Sequence, residues 1–159
     1  MRKLVDFISL MLATGFGIGL YVPFAPGTFG SLPGLFLVWG LSRFSLPIQI
    51  ISCVILVVMA VFVCGSAERQ LGIKDDGRIA ADEWMLLPIA FLAIPVFEIS
   101  LCKFILMFAV VRLVDIIKPW PCRQLQSIKG GLGIVVDDFV ANIYSLVINL
   151  IIWKSTLLG

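Results

Sequence analysis

Long apolar stretches alternate along the chain with short segments that carry most of its charge. Residues 48–67 hold no charged side chain and are long enough for one helix to cross a bilayer. Residues 84–97 are also uncharged but shorter, and Pro88 and Pro95 are expected to bend or end a helix there. The candidate spans are 29–42 (the weakest), 48–67, 84–97, 99–117 and 134–153.

The N-terminal stretch differs from these spans. Residues 3–20 are apolar, but Asp6 and several glycines favour a helix that lies along the membrane interface or inserts half way. Cleavage after Ala13, as for a signal peptide, would cut into a glycine-rich motif, so we expect the segment to be retained. The pattern predicts an all-α, polytopic membrane helical bundle with about four spanning helices, an interfacial N-terminal helix and a single domain over residues 1–159.

Lysine and arginine residues in the loops predict the orientation, because cytoplasmic loops are enriched in them. The loops 68–83 and 118–131 each carry three such residues, whereas the loops between them and before them carry few. Two candidate spans separate these two loops, so both should emerge on one face of the membrane. Their positive excess predicts that this face is cytoplasmic.

Composition narrows the function further. Hydrophobic residues make up 60% of the chain and charged residues 14%, with a mean hydropathy of +1.10, far from the values of soluble domains. A net charge of +2 gives no support to a nucleic-acid partner. The absence of histidine excludes histidine-dependent phosphatases, serine–histidine hydrolases and histidine metal sites. Cys64 and Arg69 are one residue too close for the phosphate loop of cysteine phosphatases.

Acidic residues gather near the predicted cytoplasmic ends of the spans. Asp82 and Glu83 begin one apolar segment, where they could serve simply as favourable charges at a helix N-terminus. Asp137 and Asp138 lie about a turn inside another, where an ionisable group is costly and usually functional. Asp115 approaches the same level from a third helix. Carboxylates that converge without histidine or thiolate suit a hard cation such as Mg²⁺.

Basic and small polar residues accompany these acids. Arg112, Lys118 and Lys129 are the cations expected if a phosphate also enters, although they also fit the ordinary positive charge of a cytoplasmic face. Residues 26–31 (PGTFGS) offer backbone N–H groups and two hydroxyls just before a helix, an arrangement that can bind an anion. The pattern therefore indicates a site for a cation and a phosphate.

Four sequence elements together resemble the phosphatidylglycerophosphatase A family. They are PGTFGSL, the acidic pair of IAADE, RLVDIIKPWP, and GGLGIVVDD with Ala141 three residues later, in the family's order and spacing. The resemblance implies an all-helical enzyme of the bacterial inner membrane, with its active site facing the cytoplasm. It implies removal of the terminal phosphate of phosphatidylglycerophosphate, with Mg²⁺ as cofactor.

The chain departs from the family pattern at three places. Residues 80–81 are alanines where a larger apolar pair is usual, and Asn142 stands where a glycine is common. Residues 126–127 are Gln-Ser where an Asp-Arg pair often occurs, in a slightly shorter loop. These differences leave the acidic residues intact. The loop difference bears on how residues 122–129 meet the lipid headgroup, and therefore on substrate preference.

These residues predict Mg²⁺-assisted hydrolysis of a phosphate monoester in a phospholipid whose acyl chains stay in the bilayer. The five candidate catalytic residues are Asp82, Glu83, Asp115, Asp137 and Asp138. All of these except Asp115 are predicted metal ligands, and Asp115 is a further ligand or the base that positions water. A covalent aspartyl-phosphate is the alternative route. The predicted substrate-binding residues are Thr28, Ser31, Arg112, Lys118 and Lys129.

A small ion or proton transporter is the alternative function. In that case Asp115, Asp137 and Asp138 would begin a cation path. A path needs polar groups through the whole membrane, whereas the acids gather at one end and only scattered polar residues such as Gln49 and Asn149 lie beyond them. A phosphatase is therefore the favoured interpretation, and the oligomeric state is left open.

Overall fold

The computed structural model describes residues 2–18, 26–73 and 76–155, and every regular element within them is helical. This confirms the predicted all-α class. Residues 19–20 of the predicted N-terminal segment and Lys74 of the predicted loop 68–83 lie outside the described residues. The helices are α1 (Arg2–Ala13), α2 (Pro26–Gly30), α3 (Leu32–Leu41), α4 (Leu46–Leu71), α5 (Ala81–Leu86), α6 (Leu101–Ile117), α7 (Cys122–Leu125) and α8 (Gly131–Lys154), with 3₁₀ segments at Leu87–Phe91 and Val96–Glu98.

Two helices of the described chain, α4 and α8, are long and apolar enough to cross a membrane. Only 22% of the most apolar part of α4 is buried inside the protein, and 44% of that of α8. Large side chains elsewhere also face outward, among them Phe36 and Leu101, which are 81% and 72% exposed. A helical surface of this kind suits contact with lipid rather than water.

Proline divides the predicted stretch 84–97 into short pieces. α5 ends at Leu86, and the 3₁₀ segment that follows has Pro88 in its first turn, because proline lacks the N–H that a continued helix would need. Pro95 precedes the second 3₁₀ segment. Residues 81–98, here called the bent segment, therefore pass through the bundle without forming one helix.

The central helix is α8, which packs against α4, α6 and the bent segment. Its first turn touches α4 backbone to backbone: a Cβ atom on Gly131 would collide with the Val61 carbonyl and with the backbone of Gly65. Small residues allow helices to approach this closely, and such contacts are a main source of helix association in membranes. The contact sets the height of the acidic residues on α8 relative to α4.

The other end of the bundle is held by Lys103. Its position within an apolar run suggests an interruption of the helix, but the structure buries it and uses its charge. Nζ donates hydrogen bonds to the carbonyl oxygens of Trp153, at 3.2 Å, and Ser155, at 2.9 Å. A cation at these last carbonyls of α8 interacts favourably with the helix dipole.

The paired alanines at 80–81 fit a crowded place in the fold. The N–H of Ala80 donates to the carbonyl of Ala13 at 2.7 Å, and a Cβ atom on Gly30 would collide with the Ala80 side chain. Both alanines are fully buried. Their small size lets α1 and α2 approach the start of α5, so this departure from the family pattern has a packing explanation.

Candidate active site

Three segments that are distant in sequence bring their charged residues to one end of the bundle. The first turn of α5, the last turns of α6 and the second turn of α8 supply them. Each is buried or mostly buried, so their charges act on one another with little screening by water. We call them the acid cluster: Asp82, Glu83, Arg112, Asp115, Lys118, Asp137 and Asp138.

Arg112 joins α5 to α6. Its Nη1 atom lies 2.8 Å from Oε2 of Glu83 and 3.1 Å from Oδ2 of Asp115, and all three side chains are 15% exposed. Arg112 and Asp115 are three residues apart on α6, which places them on the same face of the helix. One guanidinium therefore orients two carboxylates, through a charge-assisted hydrogen bond to Glu83 and an ion pair with Asp115.

Lys118 joins the end of α6 to α8. It adopts a left-handed conformation, with a φ of +47°, and its N–H caps α6 by donating to the carbonyl of Val114. Nζ lies 2.6 Å from Oδ2 of Asp137, whose side chain is 2% exposed. Burial by itself would lower the pKa of Lys118, but the hydrogen bond to Asp137 and the charges of Asp137 and Asp138 outweigh it, so this pKa is raised.

Asp138 lies at the centre of the acidic charge. It is buried, and the charges of Asp82, Glu83, Asp115 and Asp137 all act on it. Five carboxylates thus share a buried region with two cations, so negative charge is in excess when all are ionised. A buried excess of one sign is costly, and uptake of protons or of a cation would relieve it.

The chemistry of these donors fits a hard divalent cation, since all are oxygens and carry surplus negative charge. In the part of the chain that the structure describes, no three acidic or cysteine side chains converge closely enough to hold one metal ion as they stand. Oxygens of Glu83, Asp115 and Asp137 are engaged by Arg112 and Lys118 instead. Shared coordination would require some of these carboxylates to turn away from their cationic partners.

The remaining predicted residues lie near the acid cluster or outside it. Gly30 packs against Ala80, two residues before Asp82, so the PGTFGS segment adjoins the acidic end. Ser31 is buried, and its hydroxyl donates to the carbonyl of Thr28 at 2.9 Å, so that hydroxyl supports the local turn. Lys129 is exposed on the loop before α8 and forms no ion pair with any described residue.

A line of buried polar residues on α8 was not predicted as a unit. The sequence suggested scattered polar positions, but Asn142, Ser145 and Asn149 continue inward from Asp138 along the same buried face. Helical spacing of three and four residues could have revealed the alignment. Asn142 and Ser145 bond to carbonyls one turn earlier in α8, and Asn149 donates to Ala90 of the bent segment at 2.9 Å. These three hydrogen bonds all go to backbone carbonyls rather than from one side chain to the next.

Comparison with known proteins agrees with the chemistry of this site. The family model described as phosphatidylglycerophosphatase A matches residues 11–153. The chain is 36% identical to a phosphatidylglycerophosphatase A of Escherichia coli (strain K12), over 85% of this chain and 77% of that protein. It is also 36% identical to a phosphatidylglycerophosphatase A of Haemophilus influenzae, over 87% of this chain and 84% of that protein.

A further relative carries a different substrate in its name. It is a proposed phosphatidylinositol-3-phosphatase of Bacteroides thetaiotaomicron, 34% identical over 92% of this chain and 94% of that protein. No solved structure matches the chain. The family match spans nearly the whole chain and includes every residue of the acid cluster. The chain belongs to the phosphatidylglycerophosphatase A family and is a phosphatase.

Proposed function

We propose that the protein hydrolyses the terminal phosphate monoester of phosphatidylglycerophosphate, giving phosphatidylglycerol and phosphate, with Mg²⁺ bound at the acid cluster. The observation that carries this proposal is the buried cluster of five carboxylates and two cations at one end of an apolar bundle. Membership of the family supplies the substrate class. A membrane enzyme for a lipid needs its polar chemistry at one face, and this cluster has that distribution.

The predicted ligands Asp82, Glu83, Asp137 and Asp138 would hold the ion, which would polarise the phosphoryl oxygens and lower the pKa of a bound water. Asp115 would position that water or complete the ligand set. Its ion pair with Arg112, at 3.1 Å, favours one orientation of the carboxylate. The roles of Asp115 as ligand and as base are therefore both compatible with its contacts.

Arg112 and Lys118 would bind the phosphate. Both now pair with carboxylates that the ion would attract, so arrival of an ion and a phosphate would exchange partners within the cluster. Charge balance is compatible with this exchange, because a bound cation would offset the charge of the carboxylates and leave the guanidinium and ammonium groups free to bind phosphate oxygens. Thr28, Ser31 and Lys129 would contribute from the edge of the site. The first two would do so through backbone N–H groups of the PGTFGS segment, and Lys129 through its exposed ammonium group on the loop before α8.

The proposed setting is the inner membrane of a bacterium, with the acid cluster at the cytoplasmic face. The four proposed crossings are α4, the bent segment, α6 and α8. Helix α3 packs against the bent segment. In support, loop cations Arg78, Arg123 and Lys129 lie at the same end as the acid cluster, as cytoplasmic charges should. The described part of α1 packs against α4, with its outer face apolar and exposed, as an interfacial helix would.

Phosphate release from purified protein tests the proposal. The substrates are phosphatidylglycerophosphate and phosphatidylinositol 3-phosphate in mixed micelles, because relatives carry both names. We expect faster release from phosphatidylglycerophosphate, loss of activity in EDTA and its return with Mg²⁺. Thiol reagents that inactivate cysteine phosphatases should have no effect, since no cysteine belongs to the acid cluster. Full activity in chelator would rule out the metal-assisted route. Phosphate release from phosphatidylinositol 3-phosphate alone would contradict the proposed substrate.

A further inference from the structure

A small polar cavity lies next to the acid cluster, in the loop between α6 and α8. Its volume is about 250 Å³, and Lys118 is its one lining residue that the sequence named as a substrate-binding residue. The lining residues are Ile117, Lys118, Trp120, Arg123 and Gln124. Its position and charge, taken together, point to a specific part of the substrate.

The walls of this cavity are held in place before any ligand binds. The hydroxyl of Tyr144 donates to the carbonyl of Trp120 at 3.0 Å, which ties the loop to α8. Arg123 donates through Nη2 to the carbonyl of Ile117 at 3.1 Å. In the amide orientation that satisfies both groups, Gln124 accepts a hydrogen bond from Nε1 of Trp120 at 3.2 Å. Such preorganisation lowers the entropy lost on binding.

The charge of the cavity favours an anion. Lys118 and Arg123 line it, and no acidic residue does. Arg123 forms no ion pair with the residues that the structure describes, and its bond to Ile117 uses one of the five N–H donors of a guanidinium. The remaining donors can therefore hold phosphate oxygens with the geometry that arginine favours.

One exposed side chain and one ion pair indicate where an anion in this cavity would lie. Trp120 is 75% exposed, and tryptophan side chains concentrate at the depth of lipid headgroups. Lys118 lines the cavity while its Nζ atom contacts Asp137 of the acid cluster. An anion bound here would thus lie at headgroup depth, one side chain away from the proposed site of hydrolysis.

We propose that this cavity binds the phosphodiester group of the phospholipid substrate while the terminal monoester lies at the acid cluster. The inference rests on the proposed function and extends it, because it predicts a preference for lipids that carry both a diester and a monoester. Both candidate lipids carry the two groups. The same cations could also hold free phosphate, so the experiment must separate a lipid diester from the inorganic ion.

Arg123→Gln removes the cavity's unassigned charge and keeps a side chain of similar length. With phosphatidylglycerophosphate we expect kcat/KM to fall about tenfold, the effect of one charge-assisted hydrogen bond. With phosphatidic acid, which has a monoester and no diester, kcat/KM should fall less than about twofold. Arg69→Gln is the matched control, since Arg69 is another exposed arginine near the same end of the bundle. It should leave both substrates unaffected, and Arg123→Lys should recover part of the loss.

Binding of phosphatidylglycerol provides a second readout, because this lipid has the diester alone. Its affinity in mixed micelles should weaken about tenfold in Arg123→Gln, while inhibition by inorganic phosphate stays unchanged. Equal losses with phosphatidylglycerophosphate and phosphatidic acid would overturn the inference, and so would equal weakening of phosphatidylglycerol and inorganic phosphate. If the wild-type protein released no phosphate but bound phosphatidylglycerol through Arg123, the diester site would stand and the proposed reaction would fail.

Discussion

Replacement of Asp137 by asparagine tests the acid cluster with little change of shape. The carboxylate is 2% exposed, and its Oδ2 atom lies 2.6 Å from Nζ of Lys118. Asparagine has nearly the same volume, so α8 should remain packed while one buried negative charge is lost. If this carboxylate serves phosphate hydrolysis, turnover should fall about 100-fold or more, equivalent to about 2.7 kcal/mol in the barrier.

The same substitution should also lower stability, because Lys118 loses its partner. Loss of one member of a fully buried ion pair costs roughly 3–5 kcal/mol, but Lys118 is 25% exposed and water can replace part of the interaction. We therefore expect about 1–2 kcal/mol, measured as a lower unfolding midpoint in detergent. Adding Lys118→Met removes the unpaired charge, so the double variant should regain stability without regaining activity.

Glu98→Gln is the control for charge alone. Glu98 is exposed at the end of a 3₁₀ segment, just before α6 and far from the acid cluster along that helix. Its loss should change phosphate release less than about threefold. Comparable loss of activity in the Glu98 and Asp137 variants, at equal expression, would defeat a site confined to one face and revive a transport path. Wild-type turnover in Asp137→Asn would show that this carboxylate is not needed for phosphate hydrolysis.

Three further predictions follow from other parts of the structure. Gly131→Ala should destabilise the protein by about 1–3 kcal/mol, because the new methyl group would collide with α4. Gly40→Ala, on α3 with open space around it, is the control and should be neutral or slightly stabilising. Equal unfolding midpoints for the two variants would contradict the close helix contact. Cysteines engineered into loop 118–130 of a variant without the native cysteines should not react with a membrane-impermeant thiol reagent applied to intact cells. Labelling from outside would contradict the proposed orientation. Asp76→Asn should lower the unfolding midpoint at pH 7, because hydrogen bonds from Arg78 lower the pKa of Asp76, and this stabilisation is lost as pH falls through that lowered value. The difference from wild type should therefore shrink below about pH 4, and a constant difference would contradict the pairing.

The sequence was informative where one physical requirement dominates. The bounds of α4 and α8 lie within four residues of the predicted apolar runs 48–67 and 134–153, because a long apolar helix leaves few alternatives. Pro88 and Pro95 predicted the break in the bent segment for a similar reason. The acidic residues could be identified because carboxylates inside apolar helices are rare.

Partners within the site could not be predicted, since they depend on helix rotation and on close contacts between distant segments. Nothing in the spacing distinguishes Lys118, which contacts Asp137, from Lys129, which is exposed. The hydroxyl of Ser31 was a candidate for phosphate, but the local turn uses it. Lys103 gave no sign that it would cap a helix far along the chain. These outcomes depend on tertiary packing, and the spacing of residues along one sequence does not show which distant side chains will meet.

The two lysines that contact α8 act at opposite ends of it. Lys103, in the first turn of α6, donates hydrogen bonds to the last carbonyls of α8. Lys118, just beyond the other end of α6, donates a hydrogen bond to Asp137. A slide of α8 past α6 by one helical turn, about 5.4 Å, would break both attachments at once. The two helices are therefore held at a fixed axial position relative to each other. In a thinner or thicker bilayer it should tilt as one body, and the depth of the carboxylates relative to α6 should stay constant.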